Sequence, residues 1–120
     1  EPLAIAAHGL RRAALNPGEK VLVMGAGPIG LFTSLLAKIQ GASVEVLEPN
    51  PSRLQFCLEN IGVSEASAAS YATVIDATGN LQAIESGFAQ IAHGGKYVLI
   101  GLQNRPSLFR ILNFTNERRP

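Results

Sequence analysis

The sequence predicts an α/β domain, a doubly wound parallel sheet with helices on both faces in three layers. Short aliphatic runs alternate with stretches of helical periodicity through most of the chain, the pattern of repeated strand–helix–strand units. Glycine, asparagine and proline fall between successive runs, where helices must start and stop. The 120 residues, 47% of them hydrophobic, can bury one core and not two. One domain is therefore expected: a leading helix to residue 18, a core over 19–102 and a tail over 103–120.

Pro2 suits the first turn of the leading helix, and Leu3, Ala6, Ala7, Leu10 and Ala14 follow helical spacing until Asn16, Pro17 and Gly18 end it. Glu1 and Pro2 enter this helix so directly that the chain reads as a segment of something longer. Lys20 to Met24 is a buried strand. Pro28 to Ile39 is a helix with apolar groups at Ile29, Leu31, Phe32, Leu35, Leu36 and Ile39, and Gly41 supplies its left-handed stop. Ser43 to Leu47 is the second strand. Asn50 caps a helix opening at Pro51, with Leu54, Cys57, Leu58 and Ile61 inward and Gly62 at its end. Tyr71 to Ala77 is a buried strand; Asn80 caps a helix that turns Leu81, Ile84, Phe88 and Ile91 inward up to Gly94 and Gly95; Lys96 to Ile100 is another strand.

Residues 62–72 break the pattern. A third edge strand with its return crossover needs at least about ten residues beyond the strands. Either that strand is lost or residues are missing, and the small-residue run Ala66 to Ser70 favours missing residues. The tail, with Pro106 and Pro120 around Leu108, Phe109, Ile111, Leu112 and Phe114, is too short for another strand and helix. It packs as a helix or an edge strand, and the sheet's last strand is absent.

Ten basic residues against nine acidic ones leave no electrostatic footprint for nucleic acid or a membrane surface. Cys57 is the single cysteine, which excludes an internal disulfide or a multi-cysteine metal knot and fits a reducing, cytoplasmic setting. No apolar run approaches the roughly 18 residues of a membrane span, and no export leader opens the chain.

The run Gly25-Ala26-Gly27-Pro28-Ile29-Gly30 places G-x-G-x-x-G after a strand and at the mouth of a helix. The first glycine permits a tight turn, the second lets a pyrophosphate approach the backbone, and the third lets helix and strand pack closely. The helix start then offers unpaired N–H groups to phosphate. The motif alone is weak. Glu48 strengthens it, ending the second strand 18 residues after Gly30, near the separation of about 20 for an acid that binds the adenosine ribose. Its charge would repel a 2′-phosphate, so NAD is expected over NADP; Arg53 places a cation nearby. Thr78 and Gly79 follow a strand on the side where such sheets bind ligands, as wall of the crevice or as a plain turn. Ile100, Gly101 and Leu102 close the next strand in the same way. His8 and His93 are expected to be exposed helix residues, Cys57 a small core residue, and Asp76 has no identifiable catalytic partner. No catalytic or metal-binding residue is assigned.

Glu1-Pro2-Leu3-Ala4, Arg11-Arg12, Pro17-Gly18-Glu19-Lys20-Val21-Leu22-Val23, the glycine run, Glu48 through Arg53-Leu54, Val74 to Gly79 and Gly94 to Gly101 together resemble the zinc-containing medium-chain dehydrogenases, especially the sorbitol and threonine dehydrogenase branch. The resemblance implies a Rossmann-type domain in which Ile29, Glu48 and Arg53 contact adenosine and pyrophosphate, while Ile100 to Leu102 lie near the nicotinamide. Glu1 resembles a glutamate near the catalytic zinc of polyol dehydrogenases. The main zinc ligands of the family have no counterpart here, so zinc is expected only in an absent catalytic domain, with an alcohol or polyol as the parent's substrate. The resemblance further implies a homodimer or homotetramer. Two other classes remain in view: a non-catalytic dinucleotide-sensing or scaffold domain, and an S-adenosylmethionine-dependent methyltransferase.

Overall fold

Lys20–Met24 (β1), Ser43–Leu47 (β2), Ser64–Glu65 (β3), Tyr71–Asp76 (β4) and Ile91–Leu99 (β5) form one parallel sheet in the order β3-β2-β1-β4-β5. The computed structural model describes residues 1–67 and 70–100. Pro2–Ala13 (α1), Pro28–Ile39 (α2), Pro51–Ile61 (α3) and Leu81–Ala89 (α4) are the helices.

Strand alternation sorts the two faces. Val21, Val23, Val44, Val46, Ile75 and Val98 meet Leu10 and Ala13 of α1, Ala37 of α2 and Cys57 of α3 in one cluster. Leu22, Met24 and Val74 point the other way, with Ala83 of α4 packed against them, and Ile84 of α4 meets Leu99 beside them. Each such aliphatic side chain removed from water contributes about 1.5–3 kcal/mol. Tyr71, at the start of β4, packs on the face of Leu22 and Val74, and the pairing with β5 shifts register between Tyr71 and Thr73.

The helix signals act as the sequence implies. The Asn50 side chain accepts the Arg53 N–H at 3.1 Å, and that of Asn80 accepts the Gln82 and Ala83 N–H groups. Gly62 closes α3 in the left-handed region, at φ 77°. Two details differ. Ile39 and Leu81, expected inward, are exposed; both sit in terminal turns, where periodicity alone cannot say whether a neighbour lies beneath. Ile91, expected as the last inward residue of a helix, instead begins β5. Ala92 to Gly95 then bulge out of the ladder, since Tyr71 pairs with Ile91 and Thr73 with Lys96.

Of the two alternatives for residues 62–72, that of a lost strand needs correction. The third edge strand is not lost: Ser64 and Glu65 pair with Glu45 and Val46 of β2, and the Ala66 N–H extends the ladder to the Val46 carbonyl at 2.9 Å. Only five residues separate β3 from β4. Glu45 holds both ends of this connection, its Oε1 accepting the Ser67 N–H at 2.9 Å and the Tyr71 hydroxyl at 2.6 Å. A crossover between parallel strands usually carries a helix; here one side chain holds Ser67 and Tyr71, on either side of the short connection. Ala68 and Ala69, on which the expectation of missing residues centred, lie outside the described residues, as do Gly101, Leu102, the tail and any last strand.

Candidate functional site

The strand order reverses between β1 and β4, and the carboxyl ends of the strands beside that point are the position at which doubly wound sheets bind ligands. Gly25 leaves β1 with φ at 103°, a conformation that favours glycine. Its N–H donates to the Leu47 carbonyl at 2.9 Å, tying the turn to the end of β2. Gly27 is the residue before α2 and gives it no side-chain cap; Pro28 has no N–H and the Leu31 N–H donates to the Gly27 carbonyl, so the N–H groups of Ile29 and Gly30 are the ones an outside acceptor would meet. At Gly30 a Cβ would stand 2.0 Å from the Gly25 carbonyl oxygen. Only glycine lets α2 sit directly on the turn.

Glu48 meets this turn. Its Oε1 accepts the Ala26 N–H at 2.7 Å and its Oε2 accepts the Asn50 N–H at 3.0 Å. One carboxylate thus links the glycine turn to the cap of α3, and each oxygen keeps a further lone pair for a hydroxyl. Arg53, exposed on the first turn of α3, reaches back: its Nη1 lies 3.9 Å from where a Cβ on Gly27 would be. The structure therefore brings Gly25, Gly27, Gly30, Glu48 and Arg53 together at the start of α2; Pro28 and Ile29 open that helix, and the Ile29 side chain packs against the core.

Thr78 meets the glycine turn from the β4 side. Thr78 Cγ2 lies 3.1 Å from a Cβ placed on Gly25, and the Ala77 N–H donates to the Met24 carbonyl at 2.9 Å. Ile100 is adjacent in the sheet, its N–H bonded to the Asp76 carbonyl, yet its side chain is buried against Gly9 of α1. What Ile100 offers the crevice is main chain.

Asp76 is the residue that sequence reasoning passed over. It is fully buried. Its Oδ1 accepts both the Thr78 N–H, at 2.7 Å, and the Thr78 hydroxyl, at 2.6 Å, while its Oδ2 accepts the Tyr97 hydroxyl at 2.8 Å. Burial, with the Asp76 charge adding to it, pushes the Tyr97 phenol well above its ordinary range. The signal that could have found it is local: Asp-x-Thr at a strand end is the pattern of an Asx turn.

The remaining candidates stay away from the crevice. Cys57 is buried, and burial raises its thiol above the ordinary range. His8 and His93 are exposed. Among the described residues, no three His, Cys, Asp or Glu side chains come together to hold a metal, and no helix is long and apolar enough to cross a membrane. At the other end of the sheet, a shallow depression between Asn16, Glu19, His93 and Lys96 is occupied by structural bonds. There the Thr73 hydroxyl donates to Glu19, and the Lys96 ammonium donates to the Ala13 and Ala14 carbonyls at the end of α1.

No family model matches the chain. Similar proteins do exist. The chain is 41% identical over 117 residues to L-galactonate-5-dehydrogenase of Escherichia coli (strain K12), covering 85% of this chain and 34% of that protein. It is 34% identical over 132 residues to sorbitol dehydrogenase of Homo sapiens, covering 94% of this chain and 37% of that protein. The chain thus spans about a third of the length of the curated relatives it matches. The 132-residue match is longer than the chain's 120 residues, so the human protein carries residues within the matched span that this chain lacks. Among solved structures, the cobalt- and zinc-bound thermostable alcohol dehydrogenase of Pyrobaculum aerophilum superposes with a TM-score of 0.69 at 30% identity, over 79% of this chain and 31% of its own. Two further structures show the fold alone. Acetophenone reductase of Geotrichum candidum, in complex with NAD, gives a TM-score of 0.73 at 21% identity over 81% and 30% of the two chains. A zinc-binding dehydrogenase target from Sinorhizobium meliloti, bound to NADP, gives 0.76 at 23% over 82% and 34%. Dinucleotides of both kinds thus occur on this fold.

Proposed function

Because the chain belongs to the zinc-type medium-chain alcohol and polyol dehydrogenase family, of whose curated relatives it spans about a third, we propose that it is the part that holds the dinucleotide, and that the dinucleotide is NAD. The observation that carries this is the Glu48 carboxylate, fixed 2.7 Å from the Ala26 nitrogen at the glycine turn. A ribose whose pyrophosphate rests on the α2 N-terminus comes within reach of that carboxylate. The remaining lone pairs accept the ribose hydroxyls, and a 2′-phosphate would meet a fixed negative charge. Arg53, beside Gly27, adds a cation on the pyrophosphate side.

In the parent enzyme the substrate is an alcohol or polyol, and bound zinc and NAD supply alcohol polarisation and hydride acceptance. This chain's residues do the positioning. The N–H groups at the start of α2 hold the pyrophosphate, Glu48 orients the ribose, and the Thr78-Gly79 turn and Ile100, with Gly101 and Leu102 after it in sequence, are assigned to the nicotinamide end. No residue here is assigned to catalysis or to zinc, so the isolated chain binds cofactor without turning it over. A cytoplasmic, homo-oligomeric parent accords with this assignment.

The test is a fluorescence titration of the chain with NADH and with NADPH. NADH is expected to bind at least about tenfold more tightly, a difference of about 1.4 kcal/mol, and Glu48→Gln to narrow the gap. Equal or tighter binding of NADPH refutes the assignment. For the full-length parent, alcohol-dependent NADH formation separates a dehydrogenase from a sensing or scaffold role.

A further inference from the structure

We propose that Asp76 is a positioning residue for the cofactor crevice, acting through Thr78 to fix the shape of the glycine turn. The proposal deepens the dinucleotide assignment and rests on it. Asp76 ends β4 within the core, where a carboxylate is costly unless every oxygen is bonded. Both oxygens are bonded, and the bonds are directed. Oδ1 takes two donors from Thr78, the backbone N–H and the hydroxyl, so the Thr78 main chain and its χ1 are set together. Oδ2 takes the hydroxyl of Tyr97, whose ring is stacked on Phe88 with centroids 4.5 Å apart. The carboxylate is therefore anchored on the core side and grips the turn on the crevice side.

That grip is transmitted. The Thr78 methyl occupies the side of Gly25 where a side chain would project, 3.1 Å from a Cβ built there, and φ at Gly25 is 103°. The Thr78 Oγ1 also accepts the Asn80 N–H at 3.1 Å, and Asn80 caps α4. Gly25 is thus braced from two sides: by Glu48 through the neighbouring Ala26 N–H, and by Asp76 through Thr78. A carboxylate serving only to fill the core would be replaceable by an apolar residue of similar volume. One whose two Oδ1 bonds both end on the crevice wall governs whether that wall and the glycine turn keep their spacing.

The experiment uses the 120-residue chain and follows NADH affinity, thermal unfolding and the amide proton–nitrogen signals of Gly25 and Ala26. Asp76→Ala is expected to weaken NADH binding about tenfold, the scale of losing charge-assisted hydrogen bonds at a binding wall, and to shift both amide signals. Asp76→Asn retains an Oδ1 acceptor for Thr78 and is expected to restore affinity to within about threefold of the unsubstituted chain. Lys96→Met, at the far end of the sheet, controls for stability: it lowers the melting temperature with affinity and amide signals unchanged. Should Asp76→Ala fail to fold, Thr78→Ala, at an exposed position, is expected to weaken NADH to the same extent. Wild-type affinity in a folded Asp76→Ala or in Thr78→Ala overturns the proposal, as does a loss in Lys96→Met matching that of Asp76→Ala. If the unsubstituted chain does not bind NADH, the dinucleotide assignment falls. The link from Asp76 to the turn is then judged on the amide signals, and their failure to move in the variants overturns it independently.

Discussion

Replacing Gly30 by alanine sets two effects against each other. Gly30 lies in the first turn of α2, and by helix propensity alone alanine would gain about 1 kcal/mol. The structure reverses the sign. The added methyl would stand 2.0 Å from the Gly25 carbonyl oxygen and 2.7 Å from its carbonyl carbon, where ordinary contact begins at 3.4 Å. Helix and turn must part by more than an ångström, and both opposing atoms are backbone. Overpacking of this kind costs about 1–3 kcal/mol, and losing the Ala26 N–H bond to the Glu48 carboxylate adds about 1.5–3 kcal/mol. A net loss of about 3 kcal/mol lowers the melting temperature by roughly 10–20 °C in a domain of this size. Gly18→Ala is the matched control, with φ at 80° and nothing within 4 Å of the added methyl; it costs only the left-handed strain of about 1–2 kcal/mol. Circular dichroism melts and NADH titration read both variants. Gly30→Ala is expected to be the less stable of the two and to bind NADH at least about tenfold more weakly than Gly18→Ala. Equal stability and equal affinity would refute the argument that α2 packs on the glycine turn.

Two further outcomes follow from the titratable groups. Burial raises the Glu19 carboxyl, but the Thr73 hydroxyl, the Asn16 N–H and the Lys96 charge outweigh it and hold the group below its ordinary value of 4.5. A depressed carboxyl contributes stability above its unfolded value and loses it as pH falls through the folded one. Glu19→Gln should therefore flatten the acid limb of a urea-midpoint profile taken from neutral pH downward; an unchanged limb would count against it. The Cys57 thiol, raised by burial with the Glu48 charge adding and Ser34 opposing, should react with a disulfide reagent only when the chain is unfolded in urea. Rapid labelling of the native chain would contradict its core placement.

Much of the site was legible because its signals are local. A glycine that needs φ near 103°, an asparagine that caps α3, and an acid at the end of β2 each declare themselves within a few residues. Asp76 showed only half of its role there: its hold on Thr78 is local, whereas its partner Tyr97 lies 21 residues away and meets it only across the β4–β5 ladder. The same limit explains the edge strand. Spacing rules counted too few residues for a helical crossover, and could not foresee that Glu45 would accept donors from both Ser67 and Tyr71, on either side of the short connection.

By itself, then, the sequence determined the alternation of strands and helices, the glycine turn and the acid placed to face it. These follow from periodicity, capping and backbone freedom, which act over one or two turns of chain. Tertiary structure alone decided that β3 survives as two residues, that Ile100 turns into the core against Gly9, and that the glycine turn is braced from both sides by Glu48 and Asp76. Those outcomes depend on which side chains meet across the sheet, and the distance between them in sequence carries no record of that meeting.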